Sequence, residues 1–313
     1  MEQRELTVQA TLTDSVTFSG TGLHTGKPAK CVVHPAPAGT GIVFNRTDLA
    51  HCDTLVPATW DKVCPSPLNT SIGNAAGVEV STVEHLMAAL AGCGITNARV
   101  DLHGPELPAL DGSAHRFVRG LMSAGITGLG ASLDAIEVTT PLTVHWGGAW
   151  ARFEPFDGLE IDLTIDFPDP AIGRQSKRLD LANGAFVREL CDSRTFCRKA
   201  DIELMRNEGR ALGGTYDNAV VFDGADVLNP DGLRYRDEAV RHKMLDVMGD
   251  LALAGRPILG RYVGYKVGHA LTNRLLRTLL HHDRAWRLRP CDGALAGRLP
   301  GAGLHASDLA AVA

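Results

Sequence analysis

Several absences narrow the function of this chain before any motif is read. It has no C-x-x-C pair: its seven cysteines, at 31, 52, 64, 93, 191, 197 and 291, are scattered. That spacing is neither a disulfide framework nor a cysteine zinc site, and it suits reduced thiols in a cytoplasm. There is no basic excess, since 31 lysines and arginines stand against 36 acidic residues. A general nucleic-acid binder is not expected from that balance, although a local basic pocket for a phosphate stays open. Long apolar runs are missing too. The stretch from Leu86 to Ile95 is about half the roughly 20 residues that a spanning helix needs. Met1-Glu2-Gln3-Arg4-Glu5-Leu6 has no apolar signal core, so export is not expected either. Any metal would have to be held by histidines and carboxylates.

What is present reads as a globular chain. Of 313 residues, 44% are hydrophobic and 21% charged, enough for two domains of ordinary size. Residues 11–18 alternate as a strand and run into the glycine-rich turn Ser19-Gly20-Thr21-Gly22-Leu23-His24-Thr25-Gly26. Short strands are expected at 31–34, 41–44 and 98–102, and helices from Ser81 and over 115–124. Gly125 to Ser132 is the best linker candidate. Strands follow near 136–144, 149–154 and 159–166, then helices near 184–190 and from Glu238 to Ala254. The resulting division is an N-terminal domain over 1–128, a linker over 129–135, a C-terminal domain over 136–290 and a loose Gly/Ala/Pro-rich tail over 291–313. Both domains are α+β.

Two predicted helices carry the side chains with chemistry. Ser81, with Glu84 three residues on, matches a capping box, in which the glutamate folds back onto the cap. His85 beside it has a bland reading as a wet first-turn residue. Its other reading is a neutral imidazole favoured by the helix dipole, which is the metal-binding form. In the later helix Val240, Met244, Val247, Met248 and Leu251 form an apolar face. His242, Asp246 and Asp250 recur every fourth residue on the opposite side, with Lys243 beside them. A solvated His/Asp stripe is the simple account, and a shared cation the sharper one. Three non-cysteine ligands and an open position are the pattern of a catalytic zinc. His269 follows a glycine at a strand-to-helix junction, a place where catalytic residues are often exposed and where histidines about as often cap or pack. The glycines at 20, 22 and 26 do not form G-x-x-x-x-G-K-[ST], so a nucleotide-phosphate loop of that kind is not expected.

Taken together, and in order, several segments resemble one enzyme family. They are Gly20-Thr21-Gly22-Leu23-His24-Thr25-Gly26, Ser81-Thr82-Val83-Glu84-His85-Leu86 and Glu106-Leu107-Pro108-Ala109-Leu110-Asp111-Gly112-Ser113-Ala114 in the first half. Ser193-Arg194-Thr195-Phe196, Val240-Arg241-His242-Lys243-Met244-Leu245-Asp246 and Gly268-His269-Ala270-Leu271 follow in the second. The pattern, over roughly residues 6 to 285, resembles the UDP-3-O-acyl-N-acetylglucosamine deacetylases. The resemblance implies an α+β fold of two similar domains, with helices sandwiched between two sheets and an active site at the domain junction. It implies zinc, with iron(II) as the alternative metal, on His85, His242 and Asp246. Glu84 would be the general base, His269 a stabiliser or acid oriented by Asp250, and Thr195 an oxyanion donor. Lys243 and Phe196 match substrate-contacting positions, and Ile202, Ala211 and Val221 match an acyl-chain passage. Two departures, Arg198-Lys199 and Asn69-Thr70-Ser71, stand where some relatives carry apolar or cysteine-containing stretches.

The expected reaction is metal-assisted removal of an N-acetyl group from a UDP-linked, acylated glucosamine, in lipid A synthesis. The implied partner is that small molecule, with no nucleic acid and no transmembrane segment, acted on by a cytoplasmic monomer. Competing readings are a zinc hydrolase for another acylated amino sugar, a silent nucleotide-sugar binder, and a structural protein whose His/Asp stripe is wet surface. The last predicts no bound metal and no perturbed histidine.

Overall fold

The computed structural model describes residues 7–305 together with 307 and 308. The stretch Met1–Leu6, read above for a signal, lies outside the described residues.

Period-two patterning builds the first sheet. In the strand Pro28–Pro35, Ala29, Cys31 and Val33 are buried while the residues between them are exposed or half-exposed. This strand lies in a five-stranded sheet ordered Val16–Thr21, Pro28–Pro35, Ala98–His103, Ile42–Arg46, Leu55–Pro57. All neighbours are antiparallel except Ile42–Arg46 with Ala98–His103, which are parallel.

The second half of the chain repeats that plan. Leu142–Trp146, Ala149–Glu154, Ile258–Tyr265, Leu159–Asp166 and Arg174–Asp180 pair in the same spatial order and with the same directions. Asp134–Val138 and Trp286–Pro290 extend this sheet to seven strands. Helices fall at matching places. Helix α1 (Glu84–Gly92) precedes the middle strand of the first sheet and α2 (His115–Ser123) follows it. Two short helices, α3 (Ala185–Glu189) and α4 (Lys199–Asn207), lie in the second half. There α5 (Glu238–Ala252) precedes the middle strand and α6 (His269–Leu280) follows it. Each half also inserts a three-stranded sheet before its first long helix. These are Val63–Cys64, Ser71–Gly73, Glu79–Ser81 in one half and Phe196–Arg198, Val220–Asp223, Asp226–Val227 in the other. The α+β class expected from the sequence is the class observed.

Helix α1 has Leu86, Met87, Ala88, Ala89 and Leu90 buried on all sides, as a helix enclosed between other layers must. It packs on α5, which also touches the strands Leu159–Asp166 and Arg174–Asp180. Residues from both sheets and from α1 and α5 share one continuous apolar core.

Three expectations are corrected. The strand read over 11–18 is two strands, Val8–Leu12 and Val16–Thr21, separated by a bend. The supposed linker is extended chain: Ile126–Ser132 pairs with Val8–Leu12, and Asp134–Val138 enters the second sheet. Its glycines break up its apolar pattern, so the pairing is not visible locally. The tail is docked rather than loose. It forms α7 (Gly293–Ala296), capped by Asp292, and Leu295, Leu299 and Ala302 pack with Leu133, Ala135 and Leu259. Residues 306 and 309–313 of that tail lie outside the described residues.

Candidate active site

The bland reading of α5 fails on burial. His242, Asp246 and Asp250 are all under 5% exposed, so the stripe opposite the apolar face is as dry as that face. Buried charged groups need partners or a metal. On α1 the neighbouring His85 and Glu84 are buried as well.

The capping box does not form. Ser81 ends the strand Glu79–Ser81, and its hydroxyl accepts from Asn69 Nδ2 at 2.6 Å. Thr82 then takes a left-handed turn, φ +58°, and α1 begins at Glu84 without a side-chain cap. Glu84 is thereby freed from its own helix end. One carboxylate oxygen, Oε2, accepts the Thr70 amide at 3.1 Å.

His85, His242 and Asp246 converge, with one potential ligand atom from each lying within 4.8 Å of the others. His242 Nδ1 stands 3.0 Å from the Ser193 carbonyl oxygen. With Nδ1 donating that bond, the Nε2 lone pair is free to face the group. Burial pushes His242 down to about 4, more than the Asp246 charge pulls it up, so the imidazole is neutral. Asp246 is divided between two tasks. Lys243 Nζ donates to its Oδ2 at 2.7 Å. Its Oδ1 is buried without a hydrogen bond, although His242 Nε2 and His85 Nε2 lie 3.2 and 3.7 Å away. Two imidazole nitrogens close to a carboxylate oxygen, none of them bonded to another, fit a cation bound among them. Burial works against the Asp246 charge, but the neighbouring His242 and Lys243 hold its carboxyl well below the usual range.

Beside this group, His269 opens α6 after Gly268, as the sequence suggested. Its Nδ1 lies 2.9 Å from Asp250 Oδ2, and its Nε2 lies 3.8 Å from Glu84 Oε1 and 3.9 Å from Asp246 Oδ2. Burial alone would lower this histidine. The charges of Asp250 and Glu84 outweigh it and lift His269 to about 9, a cation at neutral pH. Burial raises Glu84 above the ordinary carboxylate range. The pair thus combines a carboxylate made more basic with a protonated imidazole.

All these groups except Asp250 line one cavity of about 840 Å³. Thr195, Phe196 and Lys243 are on its wall, and so are Ile202, Ala211 and Val221. Every residue singled out from the sequence is therefore at this cavity or bonded to a residue that is. Phe196 packs edge-on against Phe167, Phe222 and His242, which joins the apolar end to the polar one. Arg198 is tied to Asp169 and Asp201, so its charge is neutralised at the cavity wall.

Sequence reasoning missed His24 and Glu106, although both lie in quoted motifs. His24 lines the cavity with its Nδ1 buried and unbonded. Glu106 accepts from the amides of His24 and Thr25 and from the hydroxyls of Thr25 and Thr82. It clamps the glycine-rich turn to the residue that aims α1. A second acidic group, Asp111, His115 and Asp192, already holds a cation in Arg234, 2.9 Å from both carboxylates.

A buried pair of histidines with one carboxylate, and a further carboxylate left unligated beside them, is the donor set of a hydrolytic metal centre. Residues 9–281 match the family described as LpxC, UDP-3-O-acyl N-acetylglycosamine deacetylase, and the chain belongs to that family. A Shewanella frigidimarina UDP-3-O-acyl-N-acetylglucosamine deacetylase is 44% identical over 95% of this chain and 99% of its own length. A protein of the same name from Shewanella pealeana is 44% identical over 90% and 92%. Another, from Histophilus somni, is 44% identical over 89% and 92%.

Proposed function

We propose that this chain hydrolyses the N-acetyl group of UDP-3-O-acyl-N-acetylglucosamine to the free amine and acetate, in lipid A synthesis, with zinc at His85, His242 and Asp246. The observation that carries this reading is the single cavity in which that triad, Glu84 and His269 meet an apolar passage. A zinc ion held by His85, His242 and Asp246 would supply Lewis acidity toward the acetamide carbonyl and the attacking water.

The remaining work belongs to the chain. Glu84 Oε1, the oxygen not held by the Thr70 amide, takes a proton from the attacking water. As charge develops on the carbonyl oxygen, the cationic His269 Nε2 and the Thr195 hydroxyl stabilise it. Asp250 keeps the imidazole charged and turned inward. The amine leaves with a proton from His269 or from Glu84, groups 3.8 Å apart. Lys243 holds Asp246 Oδ2, which leaves a single oxygen for the metal. Ile202, Ala211, Val221 and Phe196 receive the acyl chain, which fixes the sugar relative to the reacting amide.

The chain acts as a cytoplasmic monomer in this reading, its halves 1–128 and 136–290 meeting at the site. Among the described residues no helix is long and apolar enough to cross a membrane, and all seven cysteines are unbridged. The donor set suits iron(II) as well as zinc, so the metal is a matter for analysis. The deciding experiment measures bound metal and acetate release, wild type beside His242→Ala. About one metal per chain with turnover, both lost in the variant, supports the reading. Metal without turnover points to another acylated sugar, and a folded wild type that binds no metal overturns it.

A further inference from the structure

Thr70 has no place in the functional reading so far, yet it touches two of its parts. It precedes the strand Ser71–Gly73 of the first small sheet and is 3% exposed. Its amide donates to Glu84 Oε2 at 3.1 Å, and its hydroxyl donates to Asp250 Oδ1 at 2.6 Å. Its carbonyl accepts the Val83 amide at 3.1 Å, one residue before α1. Glu84 and Asp250 come from helices in opposite halves of the chain, so one residue outside both helices spans them.

Each bond fixes which oxygen of a carboxylate is left for chemistry. With Oε2 of Glu84 occupied, Oε1 is the atom nearest His269 Nε2. With Oδ1 of Asp250 occupied, Oδ2 makes the shorter contact to His269 Nδ1, 2.9 against 3.2 Å. Hydrogen bonds to ionised carboxylates are short and directional, and no bulk water competes at this depth. A β-branched side chain has few χ1 choices, which suits a hydroxyl that must keep one direction.

We propose that Thr70 is a positioning residue for this reaction, holding the Glu84 and Asp250 carboxylates in one fixed relation so that base and imidazole face the same substrate atom. The inference rests on the functional reading above and deepens it. It also gives the Asn69-Thr70-Ser71 segment a part at the reacting centre: Asn69 Nδ2 binds the Ser81 and Thr82 hydroxyls, which anchors the loop that presents Thr70.

The test is deacetylase kinetics and metal content for Thr70→Val, Thr70→Ser, Asp250→Asn and the double variant Thr70→Val/Asp250→Asn. Valine keeps the shape and the amide but removes the hydroxyl. Thr70→Val is expected to lower kcat about tenfold, the scale of one charge-assisted hydrogen bond, with KM and bound metal unchanged. Thr70→Ser should return to within about threefold of wild type, because the donor is restored. In the Asp250→Asn background the valine should cost less than about twofold, since both changes act through one contact.

Wild-type kcat in Thr70→Val overturns the proposal. So does a loss that serine does not rescue, or a full tenfold loss persisting beside Asp250→Asn. If the valine variant does not fold, Thr70→Cys replaces it. Its thiol donates weakly, and an undiminished kcat there also overturns the proposal. A wild type without deacetylase activity removes the functional reading and this inference with it. An active wild type beside an unimpaired Thr70→Val removes the inference alone.

Discussion

Gly249 of α5 lies directly against the main chain of Glu84 in α1: a Cβ on this glycine would stand 2.0 Å from the Glu84 carbonyl oxygen. No side chain fits at that crossing, and the obstacle is backbone, which cannot rotate away. Gly249→Ala must therefore push the two helices apart at the point where Glu84, His85, His242 and Asp246 meet. Overpacking of this kind costs about 1–3 kcal/mol. A lower Tm is expected together with weakened metal retention on dialysis. Unchanged Tm and metal content would show that the helices tolerate separation.

Metal binding should stabilise the fold, because the ligands converge only when α1 and α5 are packed. A ligand that binds only the folded state at 1,000 times its Kd adds about 4 kcal/mol. Stripping the protein with a chelator should lower Tm, and zinc should restore it. Asp246→Asn, which weakens the donor at the centre of the group, should abolish most of that zinc-dependent shift. A Tm indifferent to chelator and zinc would remove the metal from the triad.

Glu84 and the ligands should separate cleanly by substitution. Its carboxylate lies outside the converging group, and the proposed function makes it the base, so Glu84→Gln should keep bound metal near the wild-type level. Activity should fall by roughly 10²–10⁴, the usual contribution of a positioned general base. Loss of metal along with activity would instead make Glu84 a ligand.

The docked tail makes a prediction remote from chemistry. Leu299 is 1% exposed in the small cluster with Leu133, Leu259 and Leu295. Truncating a buried leucine to alanine costs about 2–5 kcal/mol. Leu299→Ala should therefore unfold earlier in urea while kcat at low temperature stays within about twofold. A variant as stable as wild type would show that the tail is only loosely applied.

How far the sequence announced this structure varies from one element to the next. Helix α5 was legible because its apolar residues keep helical spacing over about three turns, and the His242/Asp246 pair follows from the same spacing. That its polar side is dry was not legible, since burial there depends on α1, from a segment about 150 residues earlier. Ser81 and Glu84 had the capping signature, but Thr82 turns left-handed under bonds from Asn69 and to Glu106, and distant partners override the local motif. The strand Ile126–Ser132 reads as a linker because its glycines hide its pairing with Val8–Leu12. The duplicated sheet order leaves no trace that the eye finds in the residues, because topology constrains which positions are apolar and not which apolar residue is used. Thr70 and Glu106 make their hydrogen bonds to groups far along the chain, a relation that no spacing rule contains.

The duplication also sets an order of events during synthesis. One ligand, His85, is made early on α1, while His242 and Asp246 lie on α5 and His269 comes later still. A ribosome-bound chain that has not yet released α5 carries one of the three converging groups, His85, and lacks the other two. In the proposed function the triad is thus completed only when both halves exist, and an incomplete chain would lack the centre with which to attack a substrate.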